Sequence, residues 1–203
     1  GVSPLMTIYT QPPLFDVEIA PRWADQDSLG HINHVQYFSY LEEARVHWLR
    51  SEEMLALGGF RLVIAAIALN YRQEWRHGRS LRARAWVTRV GNSSFSLRQA
   101  LFSDDGEQLV AEGDATLVHV NEDHRPEAIS AAARAVLARS LIESGEAKAV
   151  ALTGGVYQNA LLHRLTCAVL GDLPVLRHRT LPANDGSLAL GQAVIAAAQS
   201  ERD

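Results

Sequence analysis

From Val35 to Leu55 apolar residues recur at helical spacing so densely that polar ones keep only a thin stripe. At 100° per residue Tyr37, Leu41, Ala44, Trp48 and Leu55 share one line, and Val35, Phe38, Val46 and Leu49 widen the apolar arc past half the circumference. Gln36, Ser39, Glu43, His47 and Arg50 make up the polar remainder. A helix this apolar has to be wrapped by other structure. The pattern predicts one helix over 34–57, stopped by Gly58-Gly59, with Glu42 and Glu43 pairing with Arg45 and His47 along it.

Strand patterns surround that helix. Phe15, Val17 and Ile19 alternate with Asp16, Glu18 and Ala20, the period of a strand with one buried face. After the helix come four long strands, about 60–75, 81–90, 94–103 and 109–120. Asp104-Asp105-Gly106 is a hairpin signal, because Asp-Gly supplies the positive φ of a tight turn. The expectation is an α+β domain: a first strand, a long helix, then a four-stranded antiparallel meander that wraps it.

Bulk properties narrow the partners. A net charge of −4 over 203 residues gives no electrostatic reason to expect nucleic acid, and no basic run suggests an anionic membrane. The longest apolar run, Leu62 to Leu69, is strand-sized, and residues 1–13 lack the pattern of an export signal. Cys167 stands alone, so neither an intrachain disulfide nor a Cys-x-x-Cys site can form, and the cytoplasm is the expected compartment.

Ahead of the helix lies Asp25-Gln26-Asp27-Ser28-Leu29-Gly30-His31-Ile32-Asn33. A helix N-terminus offers unpaired N–H groups and partial positive charge, which can hold a developing oxyanion. With a thioester carbonyl on the amide near His34, Asp27 could attack carbon directly or activate water; the residues leave both routes open. A thiol leaving group, with a pKa of about 8.5, makes a strong general acid dispensable. An aspartate at such a place also has a plainer use, as an N-cap or turn residue. Asp25 is expected to be a hydrogen-bond acceptor that stabilises the loop.

The run Arg22-Trp23-Ala24-Asp25-Gln26-Asp27-Ser28-Leu29-Gly30-His31-Ile32-Asn33, followed by Val35-Gln36-Tyr37 and Glu42-Glu43-Ala44-Arg45, resembles the motif of the 4-hydroxybenzoyl-CoA thioesterase family. Gly91-Asn92-Ser93-Ser94-Phe95 adds to it, and the resemblance covers roughly 14–125. It implies a hot-dog fold acting on acyl-CoA, with Asp27 catalytic, the His34 amide polarising the thioester, and Asn33, Arg89 and Ser94 contacting substrate. It also implies a homodimer or homotetramer with sites at subunit interfaces, and no cofactor. His34 departs from the family, where many members carry a second asparagine.

Two other readings compete. A hot-dog hydratase or dehydratase would pair Asp27 with His31 as acid and base; hydratases of this fold place the two five apart, and here they are four apart. A non-catalytic acyl-CoA-binding scaffold would keep the fold without turnover. His31 and His34 are a weak metal signal, since an i, i+3 pair lacks a third ligand.

Past a boundary at about 144 the chain changes character, so the expected layout is an extension (1–13), a hot-dog domain (14–143) and an α/β fragment (144–203). The fragment reads as strand 148–153, a Gly154-Gly155 turn, helix 157–170, strand 174–179, the loop Pro182-Ala183-Asn184-Asp185-Gly186 and helix 187–199. These motifs resemble the C-terminal end of hydrogenase-maturation carbamoyltransferases, which have an ATP-binding domain of the actin and sugar-kinase type. Most of that domain is missing, so neither ATP nor carbamoyl chemistry is expected. The fragment is expected to be a fusion remnant, an oligomerisation element or an adaptor.

Overall fold

The computed structural model describes residues 8–58 and 60–143, together with 150, 151, 164, 167, 168, 175 and 176. The chain forms two compact units, 1–146 and 147–203. In the first, strands β1 (Phe15–Ile19), β2 (Leu62–Tyr71), β3 (Leu81–Val90), β4 (Ser94–Ser103) and β5 (Leu109–His119) make one antiparallel sheet in the order β1-β3-β4-β5-β2. Three helices accompany it: α1 (Gln36–Leu49), α2 (Glu52–Ala56) and α3 (Ala131–Glu143).

The expected meander is therefore only partly present. β3, β4 and β5 do run as consecutive hairpins, and Gly106 (φ +78°) turns the β4–β5 connection where Asp-Gly predicts it. β2, however, crosses to the far edge and pairs with β5. Gly113 permits this pairing, because a Cβ there would lie 1.9 Å from the Ala68 carbonyl oxygen.

The expected helix over 34–57 is two helices. Arg50 leaves helical geometry and Ser51 becomes extended (ψ 153°), its hydroxyl accepting the Met54 N–H at 3.4 Å to cap α2. Gly58 (φ +87°) then ends α2. Tyr37, Leu41, Ala44 and Trp48 are buried along one line of α1, as the periodicity requires. Arg45 also turns inward and donates to Gln99 instead of pairing with Glu42.

α1 lies mainly over β1, β3 and β4, whose concave-face residues Ala83, Ala85, Leu97 and Leu101 are fully buried. The β2 edge is left open: Val63, Ile64 and Tyr71 are 41%, 42% and 44% exposed, and Val35 on the helix side is 54% exposed. On the opposite face Ile8, Trp86, Ala100 and Phe102 form a second cluster, so residues 8–11 pack onto the sheet. Trp86 Nε1 donates to the Gln11 carbonyl at 2.9 Å, and the Tyr9 hydroxyl bonds the Glu112 carboxylate.

α3 packs against β3, burying Ala133, Val136 and Leu137, while Arg134 donates to the carbonyls of Gly91 (2.6 Å) and Asn92 (2.8 Å). In the second unit β6 (Val150–Ala151) pairs in parallel with β7 (Val175–Leu176), within the two strands expected there. Arg164, Cys167 and Ala168 are helical. The Gly154-Gly155 turn, the Asn184-Asp185-Gly186 loop and the final helix lie outside the described residues. Among the described residues no helix is long and apolar enough to cross a membrane.

Candidate active site

The sequence between β1 and α1 folds into a small closed loop. Gln26 and Ile32 form an antiparallel bridge, and within it the Asp27 N–H donates to the His31 carbonyl at 2.7 Å. Gly30 donates to the Asp27 carbonyl at 3.1 Å and holds φ +77°, the left-handed conformation that glycine adopts without strain. Two longer-range bonds fix the loop in place: Ile32 N–H to Trp75 O and Asn33 N–H to Asp25 O, both 2.8 Å.

Asp25 is the loop's foundation. Its side chain is 2% exposed and accepts from the Arg22 Nε, Nη2 and backbone N–H and from the Tyr40 hydroxyl at 2.7 Å. Burial alone would raise its pKa, yet the bonds from Arg22 and Tyr40 outweigh this and hold it below the usual carboxylate value. The carboxylate is thus ionised and committed on all sides, as a structural acceptor should be.

Asp27 shares the lowered pKa but not the burial. It is exposed, and Oδ1 accepts the backbone N–H groups of Leu29 (2.8 Å) and His31 (3.0 Å). The His31 amide lowers its pKa most; desolvation opposes this and is outweighed once the Leu29 amide and the nearby His31 and Arg76 charges are added. One oxygen is tied down; among the described residues the other makes no hydrogen bond.

The His31 ring does not face Asp27. Its Nε2 lies 2.8 Å from Arg76 Nη2 and 3.2 Å from Glu74 Oε2. A neutral Nε2 lone pair can accept from Arg76, whereas a protonated one donates to Glu74; one nitrogen cannot do both at once. Asp27 hydrogen-bonds His31 only through the backbone, and the ring acts on it through charge alone.

His34 sits in the turn that enters α1. The Asn33 carbonyl accepts the Gln36 N–H at 2.9 Å, the Asn33 side chain accepts the Val35 N–H at 3.1 Å, and the Tyr71 hydroxyl donates to the His34 carbonyl at 2.9 Å. The His34 N–H makes no hydrogen bond among the described residues. The exposed His34 ring packs edge-on against Tyr71, with centroids 6.2 Å apart. Asn33 therefore spends its side-chain oxygen on the turn.

Arg89 and Ser94 are elsewhere. Ile19, which leads into the Asp27 loop, pairs with Leu81, and Arg89 follows eight residues along β3. At about 3.3 Å per residue that is roughly 26 Å of strand. Both residues lie at the β3–β4 turn, the far end of the sheet from Asp27, beside a cleft lined by Arg61, His119, Asn121 and Glu127. Tyr71, Glu74, Trp75 and Arg76 have no motif in the sequence; they reach the Asp27 loop because β2 crosses the sheet.

Solved structures share this arrangement, and several of them are described as thioesterases. A Pseudomonas aeruginosa protein, PA2801, described as a candidate thioesterase, is 29% identical with a TM-score of 0.57, covering 62% of this chain and 99% of its own. A second protein of that organism, PA5185, is 28% identical (TM-score 0.57; 63% and 92% covered). A predicted thioesterase from Bacillus stearothermophilus is 25% identical (TM-score 0.55; 62% and 95% covered). The C-terminal part is similar to the carbamoyltransferase HypF of Rhodobacter capsulatus, 53% identical over 78 residues, which span 38% of this chain and 11% of that protein. Residues 21–148 match the model of the thioesterase-like superfamily, more than half the chain, and the chain belongs to that superfamily.

Proposed function

We propose that the first unit is an acyl-CoA thioesterase in which Asp27 is nucleophile or general base and the His34 N–H receives the oxyanion. One observation carries this: an exposed, ionised carboxylate with one oxygen anchored lies in the same short loop as an uncommitted backbone donor at the mouth of α1. A Thermus thermophilus thioesterase that shares the fold is complexed with coenzyme A and zinc, and a Synechocystis protein of this fold is a 1,4-dihydroxy-2-naphthoyl-CoA thioesterase.

Hydrolysis needs little more. In the base route Asp27 takes a proton from water, the water oxygen bonds to the thioester carbon, and the carbonyl oxygen becomes an oxyanion on the His34 N–H. Collapse breaks the C–S bond and releases CoA thiolate, which takes the proton from Asp27 and restores its carboxylate, while the acid product ionises to solvent. In the nucleophile route Asp27 Oδ2 forms an anhydride with loss of thiolate, and water cleaves it. Both routes use the ionised carboxylate that the loop maintains.

The same reading includes a homodimer. β2 is a ten-residue edge strand with exposed Val63 and Ile64, the kind of edge that seeks a partner strand. If a second copy pairs antiparallel along it, the Asp27 end of one chain meets the far end of the other. The second copy's Arg89 and Ser94 would then reach the CoA nucleotide that neither can reach within one chain. The tail is read as a fusion remnant, an oligomerisation element or an adaptor, and the cytoplasm as the protein's compartment.

A panel of acyl-CoA esters, assayed with a thiol-reactive dye and beside enoyl-CoA hydration, tests the function. Thiol release without hydration supports the thioesterase. Hydration that His31→Ala abolishes would replace it with the hydratase, and tight binding with neither reaction would replace it with a scaffold. The lack of a side-chain hydrogen bond between Asp27 and His31, whose Nε2 lies against Arg76 and Glu74, favours the first.

A further inference from the structure

Two successive peptide units enter α1, and each is held by a different pair of groups. The carbonyl of the Asn33–His34 unit accepts from Gln36 at 2.9 Å, toward the first helical turn. In a trans peptide the N–H points opposite to the C=O, so the His34 N–H points away from the helix. The next unit, His34–Val35, is gripped on both sides: its C=O takes the Tyr71 hydroxyl at 2.9 Å, and its N–H donates to Asn33 Oδ1 at 3.1 Å.

Resting on the thioesterase reading, we infer that Tyr71 is a positioning residue for the reaction, its hydroxyl clamping the His34–Val35 peptide so that the His34 N–H stays aimed at the oxyanion. Tyr71 comes from the C-terminal end of β2, outside the loop and helix it restrains, so it ties the donor to the sheet. Its ring needs no hydroxyl to stay in place, since it packs edge-on against Tyr37 (centroids 5.3 Å apart) as well as against His34. Desolvation raises the phenol's pKa, which keeps it a donor across neutral pH. Asn33 is the matching clamp on the other side of the peptide, a role its type suits because an Asx turn needs a short side-chain acceptor.

A donor fixed before the reaction costs no reorganisation during it, and loss of a whole oxyanion donor lowers kcat by about 10²–10³-fold. Loosening one should lower kcat by roughly tenfold while KM stays within about twofold, since the interaction strengthens only in the transition state. Tyr71→Phe keeps both ring contacts and removes only the clamp.

The test pairs kinetics with backbone amide exchange by NMR on the full chain. In Tyr71→Phe the Val35 amide should exchange several-fold faster and kcat fall about tenfold at constant KM. Asn33→Leu should behave alike, and the double variant should be no worse than the poorer single. Unchanged Val35 exchange in Tyr71→Phe overturns the clamp; faster exchange with unchanged kcat, or a loss carried by KM, overturns its role in the reaction. If the wild type hydrolyses no acyl-CoA, the thioesterase reading fails and takes that role with it, while the exchange rates still decide whether the clamp exists.

Discussion

Arg45 Nη1 lies 2.7 Å from Gln99 Oε1 between α1 and the concave face of β4, and the two residues are 5% and 0% exposed. Gln99 Nε2 has no partner among the described residues. Burial lowers the Arg45 pKa, but a guanidinium stays charged, so Gln99 is the acceptor that makes its burial tolerable. Gln99→Leu should destabilise the protein by about 2–3 kcal/mol, the loss of a hydrogen bond to a buried charge. Adding Arg45→Met should recover most of this, because replacing both partners by apolar groups removes the stranded charge. Urea unfolding of the two variants checks it; a neutral single variant would contradict the pairing.

Asp25 should set a pH-dependent part of the stability. Its folded pKa is lowered, so the contribution is complete above the unfolded value of about 3.9 and is lost as pH falls through the depressed folded value. Asp25→Asn keeps one acceptor but loses the charge facing Arg22 and should cost about 2–3 kcal/mol at pH 7. The gap between wild type and variant, measured by urea midpoints at pH 7, 5 and 3, should be equal at the first two and narrower at the last.

The order of strands shows where sequence reading reaches and where it stops. The hairpin at Gly106 was legible because its signal is local: Asp-Gly makes that turn whatever surrounds it. The crossing of β2 had no local signal, since the residues that decide it lie more than forty positions away in β5, as in Leu69 opposite Gly113. Gly113 was the readable trace, a glycine inside a strand pattern where another backbone comes close. Arg45 was misplaced because it sits on the edge of the apolar arc, where periodicity alone cannot separate a solvated arginine from a buried one. Asp27 and the His34 amide stand out together as candidates because the motif is contiguous; Tyr71 does not, because it arrives through the fold.

The folded first unit and its thioesterase-like sequence end almost together, at 146 and 148, so α3 belongs to both. α3 buries Ala133, Val136 and Leu137 and caps the β3–β4 turn through Arg134. A chain cut after Glu146 should keep the thermal midpoint of the first unit and its turnover, whereas one cut after Arg125 should lose several kcal/mol through exposed apolar surface. Equal stability of the two truncations would contradict the packing of α3.

The acid limb of the pH–rate profile should lie low. Asp27 must be ionised in either route, and the Leu29 and His31 amides lower its pKa from the ordinary carboxylate value. The kcat/KM should therefore be insensitive to Asp27 titration between pH 5 and 7, falling only below about pH 4. Arg76→Met, which removes a nearby positive charge, should move that limb upward.

The most direct test of the central claim is single-turnover thiol release from the best acyl-CoA of the panel by wild type and Asp27→Asn. Asparagine keeps the oxygen that accepts from Leu29 and His31, so the loop stays closed while the nucleophile or base is gone. The variant should bind substrate as the wild type does and release thiol slower by a factor on the order of 10³ or more. Release within tenfold of the wild type would show that Asp27 does not carry the reaction.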